Sequence, residues 1–191
     1  MHFTLTDLVT DITQNGVESG AELVELEVRE NVNGEGEEFR FTVRDNGKGM
    51  SPEELKKAQD PFITDGIKHP HRKVGLGLPF LIQTAEQSGG GWEIKSEKGK
   101  GTEVCAWFDT ANVDTPPLGD VSGMFRTILL FSGPKEMVIR RSSEKKGIDY
   151  ELRKTELAEA LGGLDDTESL ILLNRYLHSI EEELEEEEQN G

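Results

Sequence analysis

The segment from Phe39 to Met50 constrains this chain most. Phe39, Phe41 and Val43 alternate with Arg40, Thr42 and Arg44, the pattern of a half-buried strand. Asp45 shares the parity of the apolar residues, so the strand aims a carboxylate at its buried side. A carboxylate there is costly without partners. Asn46-Gly47-Lys48-Gly49-Met50 follows at once as a glycine-rich loop. Before it, Val24, Leu26 and Val28 alternate with Glu25, Glu27 and Arg29 in an earlier strand, joined through a turn over 31–38.

Helices flank this pair. Leu5, Leu8, Val9 and Ile12 share one apolar face of a helix over 4–17, and Asp11 and Asn15, four apart, stack beside that face. Ser51-Pro52-Glu53-Glu54 starts a short helix. Residues 60–74 lack periodicity, are broken by Pro61, Gly66 and Pro70, and read as a loop. Gly75-Leu76-Gly77-Leu78 then opens a helix with Leu78, Leu81, Ile82 and Ala85 on its apolar side. Free backbone amides at such a start favour an anion, although a tight turn would use the same residues. A strand from Trp92, a Gly99-Lys100-Gly101 turn and a strand through Val104, Ala106 and Phe108 complete this part. Asp114-Thr115-Pro116-Pro117-Leu118-Gly119 reads as a stiff linker. Beyond it, a helix over 121–131, strands over 136–141 and 147–152, and helices over 154–161 and 166–188 form a small C-terminal α/β appendage. The stripe of the last helix is Leu170, Leu173, Tyr176, Leu177, Ile180 and Leu184, and the run Glu181–Glu188 reads as an acidic, solvated end.

The formal charge of −17 argues against nucleic acid and anionic membrane as partners. It also requires any phosphorylated ligand to meet a concentrated set of cations and amides. No apolar run approaches the roughly 18 residues of a membrane span, and Met1-His2-Phe3-Thr4 lacks the start of a secretory signal. The single Cys105 fits a reducing cytoplasm and reads as a small core or interface filler. His69 and His71 fall in the loop, His178 on the last helix; their scatter gives no metal-ligand spacing.

The order of these motifs resembles the Bergerat ATP-binding fold shared by gyrase, the chaperone Hsp90, the mismatch-repair protein MutL and sensor histidine kinases. The carriers are helical Asp-x-x-x-Asn, strand-Asp-x-Gly-x-Gly-Met, Asp60-Pro61-Phe62, Gly-Leu-Gly-Leu at a helix start, and Gly101-Thr102 before the last strand. The likeness implies an α+β, two-layer sandwich over residues 1–110, a linker at 111–120 and the appendage at 121–191. Asp11-Ile12 to Asn15, Asp60-Pro61-Phe62, Val74 to Pro79 and the linker Pro116 to Asp120 look like a smaller group of histidine-kinase-like ATP-binding proteins that accompany iron-hydrogenase genes in anaerobic bacteria.

The resemblance also implies roles. Asn15 would be the magnesium ligand, and Asp11 takes the place of a glutamate that orients the attacking water. Asp45 would accept from the adenine amino group, with Gly47 and Gly49 giving the base room, Met50 packing on it and Thr102 supporting Asp45. Residues 60–74 would form a lid over the triphosphate, with Phe62, Lys68, Arg72 and Lys73 in it, and Gly75, Leu76, Gly77 and Leu78 would meet the phosphates. Departures fall on the phosphate side. Glu18 stands where histidine kinases carry a lysine, Gly66 replaces a lid lysine, and Lys73 replaces a glycine. These bear on turnover more than on binding. The expected activity is that of a cytoplasmic, ATP- and magnesium-dependent regulator. The C-terminal part would meet a partner with basic patches or a second copy, as a homodimer. A protein kinase acting on a separate partner and a slow gyrase-type ATPase are the alternatives.

Overall fold

The computed structural model describes residues 3–30, 37–62 and 77–182. The expectations for Lys68, His69, His71, Arg72, Lys73, Gly75 and Leu76, and for the acidic run beyond Glu182, lie outside these.

Helix α1 (Leu5–Glu18) starts in a capping box: the Thr4 hydroxyl accepts from the Asp7 N–H, and the Asp7 carboxylate accepts from the Thr4 N–H. Its apolar stripe, Leu5, Leu8, Val9 and Ile12, is buried, which leaves Asp11 and Asn15 on the exposed side. Strands β1 (Leu23–Glu30) and β2 (Glu38–Asp45) pair antiparallel. After α2 (Pro52–Gln59) and α3 (Gly77–Gln87), β3 (Gly91–Glu97) and β4 (Gly101–Asp109) form a hairpin whose second strand joins β2.

The expected C-terminal α/β part is present as α4 (Val121–Leu129), β5 (Glu136–Ser143), β6 (Ile148–Arg153), α5 (Lys154–Leu161) and α6 (Thr167–Glu182). It is continuous with the rest. β5 pairs in parallel with β1, completing a six-stranded sheet in the order β3-β4-β2-β1-β5-β6. The linker is bound as well: Leu5 and Thr6 N–H donate to the carbonyls of Pro117 and Leu118 at 2.9 and 3.0 Å. These bonds satisfy two of the orphan donors at the start of α1.

The architecture is a two-layer α+β sandwich. The inner face of the sheet (Val24, Leu26, Phe39, Phe41, Val104, Phe108, Ile139) shares one core with α1, α3, α4 and α6. The outer face carries partly exposed ion pairs such as Arg44–Glu103 and Arg140–Glu25. Cys105, expected as a core or interface filler, is half-buried beside Arg40, with 3.8 Å from Nη1 to Sγ. It alternates with the inward Val104 and Ala106, so it faces away from the core. The stripe of α6 also narrows. Leu173 and Leu177 are buried, Tyr176 is 44% exposed, and Leu184 lies outside the described residues. Tyr176 is left outside because Leu173, Leu177 and Glu181 take the inner face.

Candidate nucleotide site

Asp45 ends β2, with Val24 of β1 on one side and Thr102 of β4 on the other. Its Oδ1 accepts from the Gly47 N–H at 2.9 Å and lies 3.1 Å from the Ser19 hydroxyl. Burial pushes its pKa up, and the bonds from Gly47, Ser19 and the Thr102 backbone pull it down; the net effect is upward. Gly16 lies against it. Gly16 is itself buried, and a Cβ there would stand 3.4 Å from both Asp45 Cβ and Oδ2, so the α1 backbone packs closely along the carboxylate.

The glycines of the loop have local reasons of their own. A Cβ at Gly47 would stand 1.9 Å from Ser19 Oγ, and one at Gly49, where φ is +63°, would stand 2.0 Å from the Glu97 carbonyl oxygen. The loop is pinned at its far end too. Met50 N–H donates to Ser96 Oγ (2.8 Å), which in turn lies 2.8 Å from Thr102 Oγ1. The Thr102 hydroxyl thus reaches the loop through Ser96, and its backbone pairs with Asp45 across the strands. An open depression of about 350 Å³ at this strand end is lined by Asp45, Ser96, Gly101 and Thr102 and edged by charges of both signs, Arg44, Lys95 and Lys100 with Glu97 and Glu103.

On the opposite side, Asn15 meets the start of α3. A Cβ at Gly77 would lie 3.3 Å from Asn15 Nδ2 and 3.9 Å from Ile12 Cδ1, so Gly77 lets the amide side chain approach the helix N-terminus. Asp11 is exposed one turn earlier on α1. Leu78 is half-buried and packs against the core rather than standing clear of it. Phe62 is 92% exposed, in a turn where Asp60 Oδ1 accepts its N–H at 2.8 Å. Glu18 accepts from Gln14 Nε2 at 3.2 Å. Among the described residues no cluster of three His, Cys, Asp or Glu has the geometry of a metal site, and no helix is long and apolar enough to cross a membrane. His178, expected on the surface, has Nδ1 3.4 Å from Ser122 Oγ and 3.7 Å from Glu182.

Two residues were not singled out from the sequence. Asn46 Oδ1 accepts from the N–H groups of Glu22 and Leu23 at 2.9 and 3.0 Å, clamping the loop to the start of β1. Ser19 holds Asp45. A serine just past a helix end carries no distinguishing pattern; its value comes from a contact 26 residues away.

A half-buried carboxylate held by neutral donors, facing a side-chain-free Gly16, suits an amino group of a planar base. An amide side chain beside a helix N-terminus suits phosphate oxygens. Both stand on a mixed sheet covered by helices on one face. Residues 3–112 match the model of the histidine kinase-, DNA gyrase B- and HSP90-like ATPases, and the chain belongs to that family. It is 37% identical over 71 residues to the sensor histidine kinase ZraS of Salmonella typhimurium, covering 36% of this chain and 14% of that protein. It is 33% identical over 98 residues to the methanogenesis regulatory histidine kinase FilI of Methanothrix harundinacea, covering 51% of this chain and 11% of that protein. The matches span only a small part of the length of these relatives. Among solved structures, the N-terminal domain of a DNA repair protein superposes with a TM-score of 0.51 at 12% identity, covering 87% of this chain and 58% of that chain; the likeness is one of fold.

Proposed function

We propose that the protein is a cytoplasmic regulator that binds ATP with magnesium and whose lid, residues 60–74, responds to nucleotide and changes affinity for a protein partner. Residues 1–110 would be the nucleotide-binding domain, 111–120 the linker and 121–191 the part that meets the partner or a second copy. The observation that carries the reading is Asp45, a half-buried carboxylate turned inward at a strand end, beside Gly47 and Ser19 and with Gly16 against it.

In this reading Asp45 accepts from the adenine amino group and disfavours guanine, which offers a carbonyl there. Gly47, Gly49 and Met50 form the loop against the base, and Thr102 steadies it. Magnesium would supply charge neutralisation between phosphates, held by the Asn15 side-chain oxygen and phosphate oxygens, a hard-oxygen set that suits it. Gly75, Leu76, Gly77 and Leu78 present the helix start to the phosphates. Phe62, Lys68 and Lys73 belong to the lid, whose ordering around phosphates is a known kind of two-state switch.

A bond between adenine and a charged acceptor is worth about 1.5–3 kcal/mol. Asp45→Asn is therefore expected to weaken Mg-ATP binding about tenfold or more in calorimetry. Unchanged affinity in a folded variant would remove the adenine assignment. The similarity to sensor kinases favours a second reading, phosphotransfer to a separate protein. Labelled ATP separates the possibilities. Label on a partner supports the kinase, phosphate release lost in Asp11→Asn supports a slow ATPase, and binding alone supports the switch. The motif likeness to proteins that accompany iron-hydrogenase genes supports a role in that setting, which the neighbouring genes would test.

A further inference from the structure

Ser19 caps the C-terminal end of α1 and meets both Asp45 and the loop that follows it. Its N–H donates to the Asn15 carbonyl and its own carbonyl accepts from the Lys48 N–H, both at 3.1 Å. Its hydroxyl stands 3.1 Å from Asp45 Oδ1 and 2.6 Å from the Gly16 carbonyl. The hydroxyl has one proton for two acceptors, and an ionised carboxylate draws it more strongly than a neutral carbonyl. Gly47 N–H donates to Oδ1 at 2.9 Å, and the Ser19 hydroxyl, whose shorter contact is with the Gly16 carbonyl, is within reach of the same oxygen. The other, Oδ2, faces Gly16. Replacing Gly47 by any larger residue would force Ser19 away, so loop and cap are shaped to one another.

We propose that Ser19 is a positioning residue for adenine recognition. Its hydroxyl anchors one oxygen of Asp45 so that the other is presented to the base, and its backbone joins that grip to the helical turn bearing Asn15. The proposal rests on the reading of Asp45 as the adenine acceptor. The donors that act on Asp45 are neutral: Ser19 from α1, Gly47 from the loop and Thr102 from β4. The charged groups at this strand end are Arg44, Lys95, Glu97, Lys100 and Glu103, and α1 adds Asp11 and Glu18 on its exposed side. Ser19 is therefore a specific support of the ionised form, and its loss should let Asp45 take up a proton at higher pH.

The test is calorimetric titration of the full chain with Mg-ATP from neutral to acid pH, for wild type, Ser19→Ala and Asp45→Asn. Ser19→Ala is expected to bind about tenfold more weakly at neutral pH, and the acid limb of its affinity profile should move upward. Wild-type affinity in Ser19→Ala overturns the proposal. So does a loss of affinity with an unmoved acid limb, the mark of a structural role alone. Asp45→Asn distinguishes the layers. If it binds as well as wild type, the adenine reading fails and Ser19's role with it. If it binds weakly while Ser19→Ala binds normally, only the role of Ser19 fails.

Discussion

Burial of Asp45 outweighs the bonds it receives from Gly47, Ser19 and Thr102, so its pKa lies above the ordinary aspartate value. A raised folded-state pKa means the native protein holds that proton more tightly than the unfolded chain does. The associated stability is present in full below the unfolded value of about 3.9 and is lost as pH rises through the folded one. At neutral pH the ionised carboxylate therefore works against the apo fold. Asp45→Asn, still an acceptor at Oδ1 for Gly47 and Ser19, is expected to raise the melting temperature without nucleotide at neutral pH. The difference should shrink toward zero in acid, as melting curves over a pH series would show; a variant less stable than wild type at neutral pH would contradict this. The strand alternation made the inward carboxylate legible, because a period of two leaves Asp45 no other face. Ser19 was not legible. A hydroxyl near a helix end has many local uses, and only the folded contact with Asp45 selects one.

Elements are joined at the other end of the sheet by charge. The side chain of Arg141 on β5 is fully buried and reaches Glu30 of β1 (2.5 Å) and Glu181 of α6 (3.0 Å). Lys146 approaches Glu181 at 3.6 Å and the Tyr150 hydroxyl donates to it. Burial and the adjacent Glu181 carboxylate push the Tyr150 phenol far above its ordinary value, so it stays a donor. A buried pair adds little over apolar packing, but removing one member strands the other. Glu181→Ala leaves the guanidinium with the Glu30 carboxylate and the Ser142 carbonyl and should cost about 3 kcal/mol in urea unfolding, whereas Glu182→Ala, at an exposed position of the same helix, should change little. In the sequence, Glu181 reads as the first residue of a solvated acidic run. Composition alone cannot separate the one glutamate that turns inward from those that follow it.

At the scale of the whole molecule, the parallel pairing of β1 with β5 decides how the chain responds as a unit. Antiparallel neighbours announce themselves through short turns, but a parallel pair needs a long crossover and leaves no such mark, so the sequence suggested an appendage on a linker. In the fold, eight residues of β1 are matched along β5, from Leu23↔Glu136 to Glu30↔Ser143. Met124, Phe125 and Ile128 of α4 join Leu5, Leu8 and Val9 of α1 in one core. Cutting after the family-matched segment would strip β1 of a neighbour and uncover an apolar side of α1, on the helix that bears Asp11 and Asn15. The chain should thus unfold in one cooperative transition, because neither half keeps a complete core. If Mg-ATP binds only the native state, it stabilises every part that opens through global unfolding, by an amount set by its concentration relative to Kd. Hydrogen exchange should then slow in β5 and in the buried turns of α6, far from Asp45, as well as in α1 and β2. Two separate melting transitions, or protection by nucleotide confined to the first 110 residues, would show instead that the C-terminal elements fold as an independent body despite the shared sheet.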